Sequence, residues 1–188
     1  MRTTERNDLI VSWLTISVAF AILASPGFFN ITSFVLAFPI SAIVVGTGFI
    51  SHELAHRQVA RKFGAHAEYR AWQAGLLFAL ISSFMGFIFA APGAVYIFGN
   101  ISRKENGIIS VAGPLTNIAV GIAFFGLTFL QINDWTQLLG RMGFQINIFL
   151  ALFNMIPFPP LDGSKVFSWN PVIWGLVFFP IAMAFFFL

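Results

Sequence analysis

Two histidines and a glutamate lie together at His52, Glu53 and His56, at the end of a long apolar run. Residues four apart on a helix share one face, about one turn from each other, so both imidazoles could bind a single Zn²⁺. Glu53 would then lie beside the metal, where it could take a proton from an attacking water. Ionisable groups inside a membrane span are costly and usually functional, so the pattern indicates a metal-dependent hydrolase. The simpler alternative is that these polar residues only mark the end of a span.

The composition is typical of a protein embedded in a lipid bilayer. Of the 188 residues, 58% are hydrophobic, 9% are charged and 25 are Phe, and the mean hydropathy is +0.86. Soluble domains carry about 25% charged residues, so an integral membrane protein is indicated. The net charge of +3 reflects a shortage of acids, and no run of Lys and Arg is long enough to bind nucleic acid. With 0 Cys, any metal ligand must be His, Asp or Glu.

A third ligand is needed, because zinc hydrolases typically hold the metal with three side chains and leave one position open for water. Asp162 is the strongest candidate among the acids, since it lies in an apolar neighbourhood, after three prolines and before Gly163. These neighbours make the backbone irregular, and irregular backbone in a membrane is tolerated only inside protein or beside a water-filled cavity. A Pro-rich loop at the end of a span is the alternative, but it leaves Asn154 and Asp162 unexplained.

We predict an all-α integral membrane protein with about five transmembrane helices and one re-entrant segment, because apolar runs alternate with polar, Gly or Pro residues. The chain, 1–188, is interpreted as a single domain with a catalytic core at about 34–167. Gly64–Arg70 and Asn100–Asn106 are predicted to be polar connections, and His66 a solvated loop histidine. The predicted spans are Leu9–Ala24, Phe34–Phe63, Gly107–Ile132, Leu138–Phe153 and Pro171–Leu188, and the re-entrant helix and extended segment is Ala71–Phe98.

Three motifs inside apolar segments occur in the order and spacing of a known family. Together they resemble the site-2 protease family of intramembrane zinc metalloproteases, and its compact prokaryotic members are the most similar. The resemblance covers the chain from the second predicted span to about Phe167, and the apolar segment Ala71–Ala90 departs from many members. The motifs are His52-Glu53-x-x-His56, Gly113-Pro114-x-x-Asn117 and Asn154-x-x-Pro157-x-x-x-Leu161-Asp162-Gly163.

This resemblance implies a zinc peptidase that cuts peptide bonds within the transmembrane helices of membrane-anchored proteins. His52, His56 and Asp162 would bind one Zn²⁺ per chain, and Glu53 would be the catalytic base. The implied partners are a transmembrane protein or peptide substrate and the lipid bilayer. Regulated intramembrane proteolysis is therefore the expected function.

Two other functions could use the same residues. A membrane metal transporter would also need His and Asp ligands, but it predicts a path of polar residues through the spans, and only scattered Ser, Thr, Asn and Gln are present. An inactive homologue could bind transmembrane segments without cutting them. The intact set of His52, Glu53, His56 and Asp162 favours an enzyme over that alternative.

The metal ligands also predict the topology of the chain. For them to meet, the helix that contains His56 and the helix that precedes Asp162 must run parallel, so one crossing separates them. Ala71–Phe98 must then enter and leave the bilayer on one side. The positive-inside rule puts the N-terminus and the opening of the site on the cytoplasmic side of the cell membrane, and Arg141 outside. The expected cytoplasmic cations are Arg2, Arg6, Arg57, Arg61, Lys62, Arg70, Arg103, Lys104 and Lys165.

The predicted extended segment at Ala94–Phe98 is a candidate for holding the substrate, as similar family members use a strand edge near the active site. A helix must unwind before its peptide bonds can be attacked, and a strand with a free edge can pair with the unwound segment. Alternatively, these residues only pack against helices. Asn154 could donate a hydrogen bond to the developing oxyanion, and Asn117 could orient substrate or bridge helices. The candidate substrate-strand residues are Gly93, Ala94, Val95 and Tyr96.

Overall fold

The chain folds mainly into helices, and the described residues include one two-stranded antiparallel sheet. The computed structural model describes residues 3–25, 30–89 and 91–187, so predictions that involve Arg2, Ala90 and Leu188 lie outside the described residues. In chain order the elements are α1 (Thr3–Leu23), α2 (Ile31–Lys62), β1 (His66–Ala71), α3 (Gln73–Phe84), β2 (Gly93–Phe98), α4 (Arg103–Thr128), α5 (Asp134–Asn154), α6 (Asp162–Trp169) and α7 (Pro171–Phe187). The strands of the sheet, β1 and β2, are joined through helix α3, and the pair is called the hairpin below.

Among the described residues, three helices are long and apolar enough to cross a membrane, namely α1, α2 and α4. α3 and α7 are shorter apolar helices, and α5 has 21 residues but includes Arg141. Large apolar side chains on the outer faces are exposed, for example Phe129, Leu176 and Phe186. Such faces suit lipid tails, so the prediction of a helical membrane protein is confirmed. Of the five predicted spans, three meet these requirements of length and composition.

Two boundaries differ from the sequence prediction. Ser102 and Glu105 form a capping box, in which each side chain bonds to the backbone of the other, and this starts α4 at Arg103. The predicted polar turn over Asn100–Asn106 was therefore wrong in its second half. A short helix, α6, begins at Asp162 and was not predicted.

The hairpin replaces a predicted loop. β1 and β2 pair antiparallel, in a register that runs from His66 opposite Phe98 to Ala71 opposite Gly93. The prediction of a polar connection over Gly64–Arg70 was wrong, because most of this stretch forms β1. The prediction of extended structure after the Pro-Gly pair is confirmed by β2.

The segment between the two strands starts and finishes at the same end of the bundle. Trp72 N–H donates to the Pro92 carbonyl at 2.8 Å, which continues the strand pairing by one residue pair. α3 follows directly, and beyond it Ile88 belongs to the same hydrophobic cluster as Phe20, near the end of α1. The segment thus extends along α1 toward the end of that helix and then returns to the strand pair, as the predicted re-entrant arrangement requires.

α2 and α4 pack antiparallel through contacts that recur along their length. Near the end of α2, His56 Nδ1 lies 2.8 Å from the carbonyl oxygen of Ile109, at the start of α4. Earlier on α2, the Gly48 carbonyl accepts from Asn117 Nδ2 at 3.2 Å, further along α4. Residue numbers therefore fall on one helix as they rise on the other.

α4 and α5 are antiparallel as well. Asn117 Nδ2 donates to Asn147 Oδ1 at 3.1 Å, and Gln137 Nε2 donates to the Thr128 carbonyl at 2.8 Å. Since α2 and α5 are both antiparallel to α4, they run parallel to each other. This is the relation that the metal ligands predicted, and the packing confirms it.

The N-terminal part of α1 closes the outer edge of β1. Glu5 Oε1 lies 3.3 Å from Tyr69 N and 3.3 Å from Arg57 Nη1 on α2, and Glu5 is buried. One turn later, Asp8 Oδ2 accepts from Ala71 N at 3.4 Å. Alternate backbone donors of β1 are therefore bound by carboxylates of α1, and the hairpin is tied to both α1 and α2.

Tyr69 anchors the hairpin from its buried face. Its ring packs edge-on against Phe49 of α2, with centroids 5.5 Å apart. Burial raises the pKa of the Tyr69 hydroxyl above its ordinary range, so the group stays protonated and donates to Ser12 Oγ at 2.8 Å. The two elements that flank β1 thus hold it through one side chain.

Candidate active site

Three potential metal ligands from α2 and α6 converge in the interior. His52 Nε2 and His56 Nε2 lie 2.9 Å apart, and they lie 3.3 Å and 3.0 Å from Asp162 Oδ2. All three residues are buried, and they form a group that could hold a metal ion. The structure thus brings together the two histidines and the acid that the sequence singled out, although about a hundred residues separate them along the chain.

The two histidines are oriented by oxygen atoms behind them. His52 Nδ1 lies 2.5 Å from Asn117 Oδ1, and His56 Nδ1 lies 2.8 Å from the Ile109 carbonyl oxygen. Both oxygens accept, so each Nδ1 carries the proton and each Nε2 turns its lone pair toward the centre. Three acceptor atoms, including Asp162 Oδ2, then face one another, and a cation among them would relieve their repulsion. Two imidazole nitrogens and one carboxylate oxygen are a donor set that fits Zn²⁺.

Gly113 allows α4 to lie directly over the two imidazoles. A Cβ at this position would lie 2.5 Å from Nε2 of both His52 and His56, closer than real Cβ atoms come to other heavy atoms. The Gly-Pro motif on α4 thus has a direct steric role at the ligand atoms. A larger residue could fit there only if α4 or the two rings moved.

Asp162 is held at the first turn of α6 by contacts on both sides. Lys165 Nζ lies 3.2 Å from Asp162 Oδ1, so one carboxylate oxygen is paired while the other faces the histidines. The next residue, Gly163, packs so tightly on the backbone of Met155 that a Cβ would overlap it. Trp174 Nε1 donates to the Met155 carbonyl at 2.7 Å and fixes that turn from α7.

Glu53 lines the same cavity as the three ligand residues. The cavity has a volume of about 50 Å³, and the Glu53 residue is 8% exposed. Glu53 follows His52 on α2 and so lies beside the candidate ligand atoms, which is the position that a general base occupies in the His-Glu-x-x-His pattern. The cavity is walled by α2, α4, α5, the hairpin and the turn before α6, and its walls include Asn154, Pro160 and Lys165.

The two predicted asparagines have different surroundings. Asn117 is completely buried, and it contacts His52 and Gly48 on α2 and Asn147 on α5, so its hydrogen bonds bridge three helices. Of its two predicted roles, bridging helices is the one that these bonds support. Asn154 is partly buried on the cavity wall, and its Nδ2 donates to the Leu150 carbonyl at 2.9 Å.

The predicted substrate strand coincides with β2. Gly93, Ala94 and Val95 line the cavity, whereas Tyr96 is 57% exposed. His66 lies in β1 and not in a loop, but its side chain is 55% exposed, as a solvated histidine would be, and its Nε2 is 3.1 Å from Glu68 Oε1. The hairpin therefore brings its first three candidate residues to the ligand group.

Two residues at the site were missed by the sequence reasoning. Lys165 follows Asp162 by three residues, so once α6 is recognised a helical i, i+3 contact is expected. Asn147 precedes Asn154 by seven residues, which puts both on nearly the same face of α5. The polar positions of α5 were visible in the sequence, but their partners on α4 were not.

Comparison with known proteins finds relatives that bear zinc metalloprotease names. "Putative zinc metalloprotease MJ0611" of Methanocaldococcus jannaschii is 48% identical over 170 residues, which cover 88% of this chain and 89% of that protein. "Putative zinc metalloprotease YwhC" of Bacillus subtilis is 29% identical over 150 residues, covering 68% and 67%. "Zinc metalloprotease MJ0392" of M. jannaschii is 27% identical over 126 residues, 66% of this chain but only 32% of its own length.

No protein-family model and no solved structure matches the chain. The M. jannaschii relative with 48% identity, however, aligns over most of both sequences, and its name agrees with the donor set of the site. The chain therefore belongs to the site-2 protease-like family of zinc metalloproteases.

Proposed function

We propose that the protein is an intramembrane zinc metalloprotease, which hydrolyses peptide bonds within the transmembrane helices of membrane-anchored proteins. The observation that carries this proposal is the buried group of His52, His56 and Asp162, with Glu53 on the same cavity. α2, which supplies three of these residues, and α4, which covers them, are both apolar enough to cross a membrane. A site enclosed by such helices suits a substrate segment that also lies in the bilayer.

In this proposal each polar group at the site has a defined task. His52, His56 and Asp162 would hold one Zn²⁺ per chain. When bound, zinc supplies Lewis-acid chemistry, which polarises a peptide carbonyl and makes water more acidic. Glu53 takes the proton of the attacking water and later passes it to the leaving amine.

The hairpin supports a mode of substrate binding by strand addition. Tyr69 and Ala71 direct their N–H groups away from β2, toward the α1 carboxylates. By the alternation of an antiparallel ladder, their partners Val95 and Gly93 direct their own backbone groups to the other edge of the hairpin, as does Ile97. We propose that this outer edge of β2 pairs with an unwound substrate segment, since the outer edge of β1 is already bound by α1.

Asn154 is a suitable donor for the charge that develops on the peptide oxygen. One of its N–H groups is used by the Leu150 carbonyl, and the other remains for a group in the cavity. A well-placed donor of this kind contributes about 3 kcal/mol to transition-state stabilisation. Asn154 would donate this hydrogen bond to the oxygen of the scissile bond.

We also propose that the N-terminus and the opening of the site face the cytoplasm. Cations gather at the end of the bundle that contains the ligand group, where α2 ends with Arg61 and Lys62 and α4 begins with Arg103 and Lys104. Arg141 lies near the start of α5, toward the opposite end. Cytoplasmic ends of membrane helices are rich in Lys and Arg, so this distribution favours a cytoplasmic opening in the cell membrane.

The decisive test uses a variant that keeps the shape of the site. Glu53→Gln removes the base without altering the three ligands, so we expect about one zinc per chain as in the wild type. Cleavage of a transmembrane reporter in vesicles should fall by a factor of about 100 to 10,000, the usual contribution of a general base. Asp134→Asn, at an exposed acid in the first turn of α5, is the matched control and should cleave normally.

The same vesicles separate the protease from a metal transporter. If the protein is a protease, wild-type vesicles cleave the reporter, and their zinc flux is the same as that of Glu53→Gln vesicles. If Glu53→Gln cleaved the reporter at the wild-type rate, the proposed mechanism would be wrong. Zinc flux that required His52, with no cleavage by the wild type, would favour the transporter.

A further inference from the structure

Asn147 has a polar side chain in the middle of α5, and it is completely buried. Its Nδ2 donates to the Gly143 carbonyl at 2.9 Å, and its Oδ1 accepts from Asn117 Nδ2 at 3.1 Å. An amide in the interior of a membrane protein is costly unless it is hydrogen-bonded. Neither the catalytic chemistry nor the motifs of the sequence account for this residue.

The hydrogen bonds fix which way each amide points. The Gly143 carbonyl can only accept, so the NH₂ group of Asn147 must face it and its oxygen must face Asn117. The NH₂ group of Asn117 then donates to that oxygen and to the Gly48 carbonyl, at 3.1 Å and 3.2 Å. Only the oxygen of Asn117 is left to meet His52 Nδ1, at 2.5 Å.

We infer that Asn147 is a positioning residue, which acts through Asn117 to keep the Nε2 lone pair of His52 turned toward the metal site. This inference rests on the proposed function, because it treats His52 as a zinc ligand. Metal-binding histidines generally have a partner at the other ring nitrogen, and such partners typically change metal affinity by about 10- to 100-fold. Asn147 extends that support from α4 to α5.

The packing around Asn147 leaves the two amides little room to turn. A Cβ on Gly48 would overlap Asn147 Oδ1, so glycine at this position is what lets α2 approach the amide pair. A Cβ on Gly121 would contact the Asn147 Cβ at 3.4 Å, which brings α4 equally close. Three helices therefore meet at this side chain, and its orientation is tied to their spacing.

A purely structural role predicts something different. Buried amides often join membrane helices, and an Asn147 that only joined α4 to α5 would affect stability without acting on His52. Its removal would then lower the temperature of unfolding and leave the zinc dissociation constant unchanged. Zinc affinity therefore distinguishes the two roles, and an unchanged dissociation constant would leave only the structural one. A double-mutant cycle then tests whether the effect passes through Asn117, because residues that act in series give non-additive effects.

The experiment measures the zinc dissociation constant of the purified full-length protein by competition with a chelator. Asn147→Leu, which keeps the approximate size but makes no hydrogen bond, should weaken zinc binding by about 10- to 100-fold. In an Asn117→Leu background the same change should alter the constant by less than about twofold, because the connection to His52 is already broken. Gln145→Leu is the matched control: it removes an exposed amide on the same helix and should leave the constant unchanged.

A conservative variant guards against misfolding of the leucine variant. Asn147→Asp keeps an oxygen that can accept from Asn117, and in its protonated form it has an O–H group that can donate to the Gly143 carbonyl. Zinc affinity should therefore stay within about threefold of the wild type, a small fraction of the loss from a missing partner. An equal loss with Asp and Leu, or an equal effect of Asn147→Leu in both backgrounds, would overturn the inference. If the variants bind zinc in this pattern but the wild type cleaves no reporter, the positioning role stands and the proposed reaction is refuted. A wild type that binds no zinc would refute both.

Discussion

The metal-binding half of the site and the hairpin half are held in place by different interactions. In the metal-binding half, formed by α2, α4, α5 and the start of α6, a neutral amide and a backbone carbonyl orient the two histidines, as Asn117 does for His52 and Ile109 for His56. In the hairpin half, formed by β1, α3, β2 and the start of α1, carboxylates bind strand amides and arginines, as Glu5 does with Tyr69 and Arg57. The groups that orient the histidines are thus uncharged, whereas carboxylates and arginines hold the hairpin in place.

The exposed side of β2 contrasts with the buried amides of the metal-binding half. Asn117 and Asn147 are completely buried, whereas Tyr96 and Phe98 on β2 are 57% and 56% exposed. A ligand set needs fixed geometry, which close packing of helices provides. A strand that receives a substrate needs an open edge. We therefore expect changes in the metal-binding half to alter zinc affinity, and changes in the hairpin half to alter turnover at unchanged zinc affinity.

The largest effect is expected from Gly113→Ala in the metal-binding half. The added methyl group would lie 2.5 Å from Nε2 of both His52 and His56, so either α4 or the ligand rings must move. Overpacking of this kind costs about 1 to 3 kcal/mol even without a bound ligand, and here the displaced atoms are the ligands themselves. We expect zinc affinity to fall by about 100-fold, with parallel loss of reporter cleavage.

Gly126→Ala is the matched control for that change. It lies on the same helix, and a Cβ at Gly126 would meet nothing within 4 Å. Alanine is the better helix former, so the control should be at least as stable as the wild type and bind zinc equally well. Normal zinc binding by Gly113→Ala would show that α4 is not held over the histidines.

A smaller effect is expected from Val95→Pro in the hairpin half. Proline removes the Val95 N–H group, which the ladder directs away from β1, and proline is tolerated on an edge strand at such a position. If substrate pairs with this edge, one hydrogen bond is lost, worth about 0.5 to 1.5 kcal/mol. The reporter's kcat/KM should therefore drop by up to about tenfold, while zinc affinity stays at the wild-type value.

Val95→Ala separates the backbone from the side chain. It shortens the same residue but keeps the N–H group, so its kcat/KM should lie closer to that of the wild type. Equal losses in the two variants would mean that the side chain of Val95 matters and its backbone does not. A loss of zinc in Val95→Pro would show that the two halves are not independent.

The grouping of the candidate metal ligands could be predicted from the sequence because their signal is local and their surroundings are apolar. His52, Glu53 and His56 lie within one helical turn, and Asp162 is an acid among apolar residues. The requirement that they meet also predicted that α2 and α5 run parallel, and that β2 returns to the end of the bundle where β1 begins. The requirement for a shared metal site thus predicted the relative directions of the helices without any knowledge of their packing.

The first strand of the hairpin could not be predicted in the same way. His66–Ala71 has a polar composition that favours a loop, and it forms a strand because β2 and the α1 carboxylates bind its amides from both edges. Those partners are distant in sequence. By contrast, the start of α4 could have been predicted from neighbouring residues alone, since Ser102 and Glu105 have the spacing of a capping box.

Asn147 and Lys165 were missed for a related reason. The sequence showed a polar residue in an apolar helix and a lysine three residues after an acid, but it did not show what either would touch. The role of Asn147 depends on the direction of a hydrogen bond to Asn117, which only the packing of α4 on α5 determines. Positioning residues are harder to predict than ligands because their chemistry depends on another side chain.

The smallest expected effect comes from Lys165, which pairs with Asp162 at the edge of the metal-binding half. Its Nζ lies 3.2 Å from Asp162 Oδ1, and its side chain is 33% exposed, so water screens part of the interaction.

Lys165→Met keeps the length of the side chain and removes the charge, which frees Asp162 to rotate. We expect zinc affinity to weaken by up to about fivefold, since an ion pair that is partly exposed contributes about 0.2 to 1 kcal/mol. Lys165→Arg should restore most of the affinity, and Lys62→Met, at an exposed lysine that ends α2, should have no effect. Unchanged zinc binding in Lys165→Met would mean that Asp162 is held by the turn between α5 and α6 alone, and that charge stabilises only the hairpin half of the site.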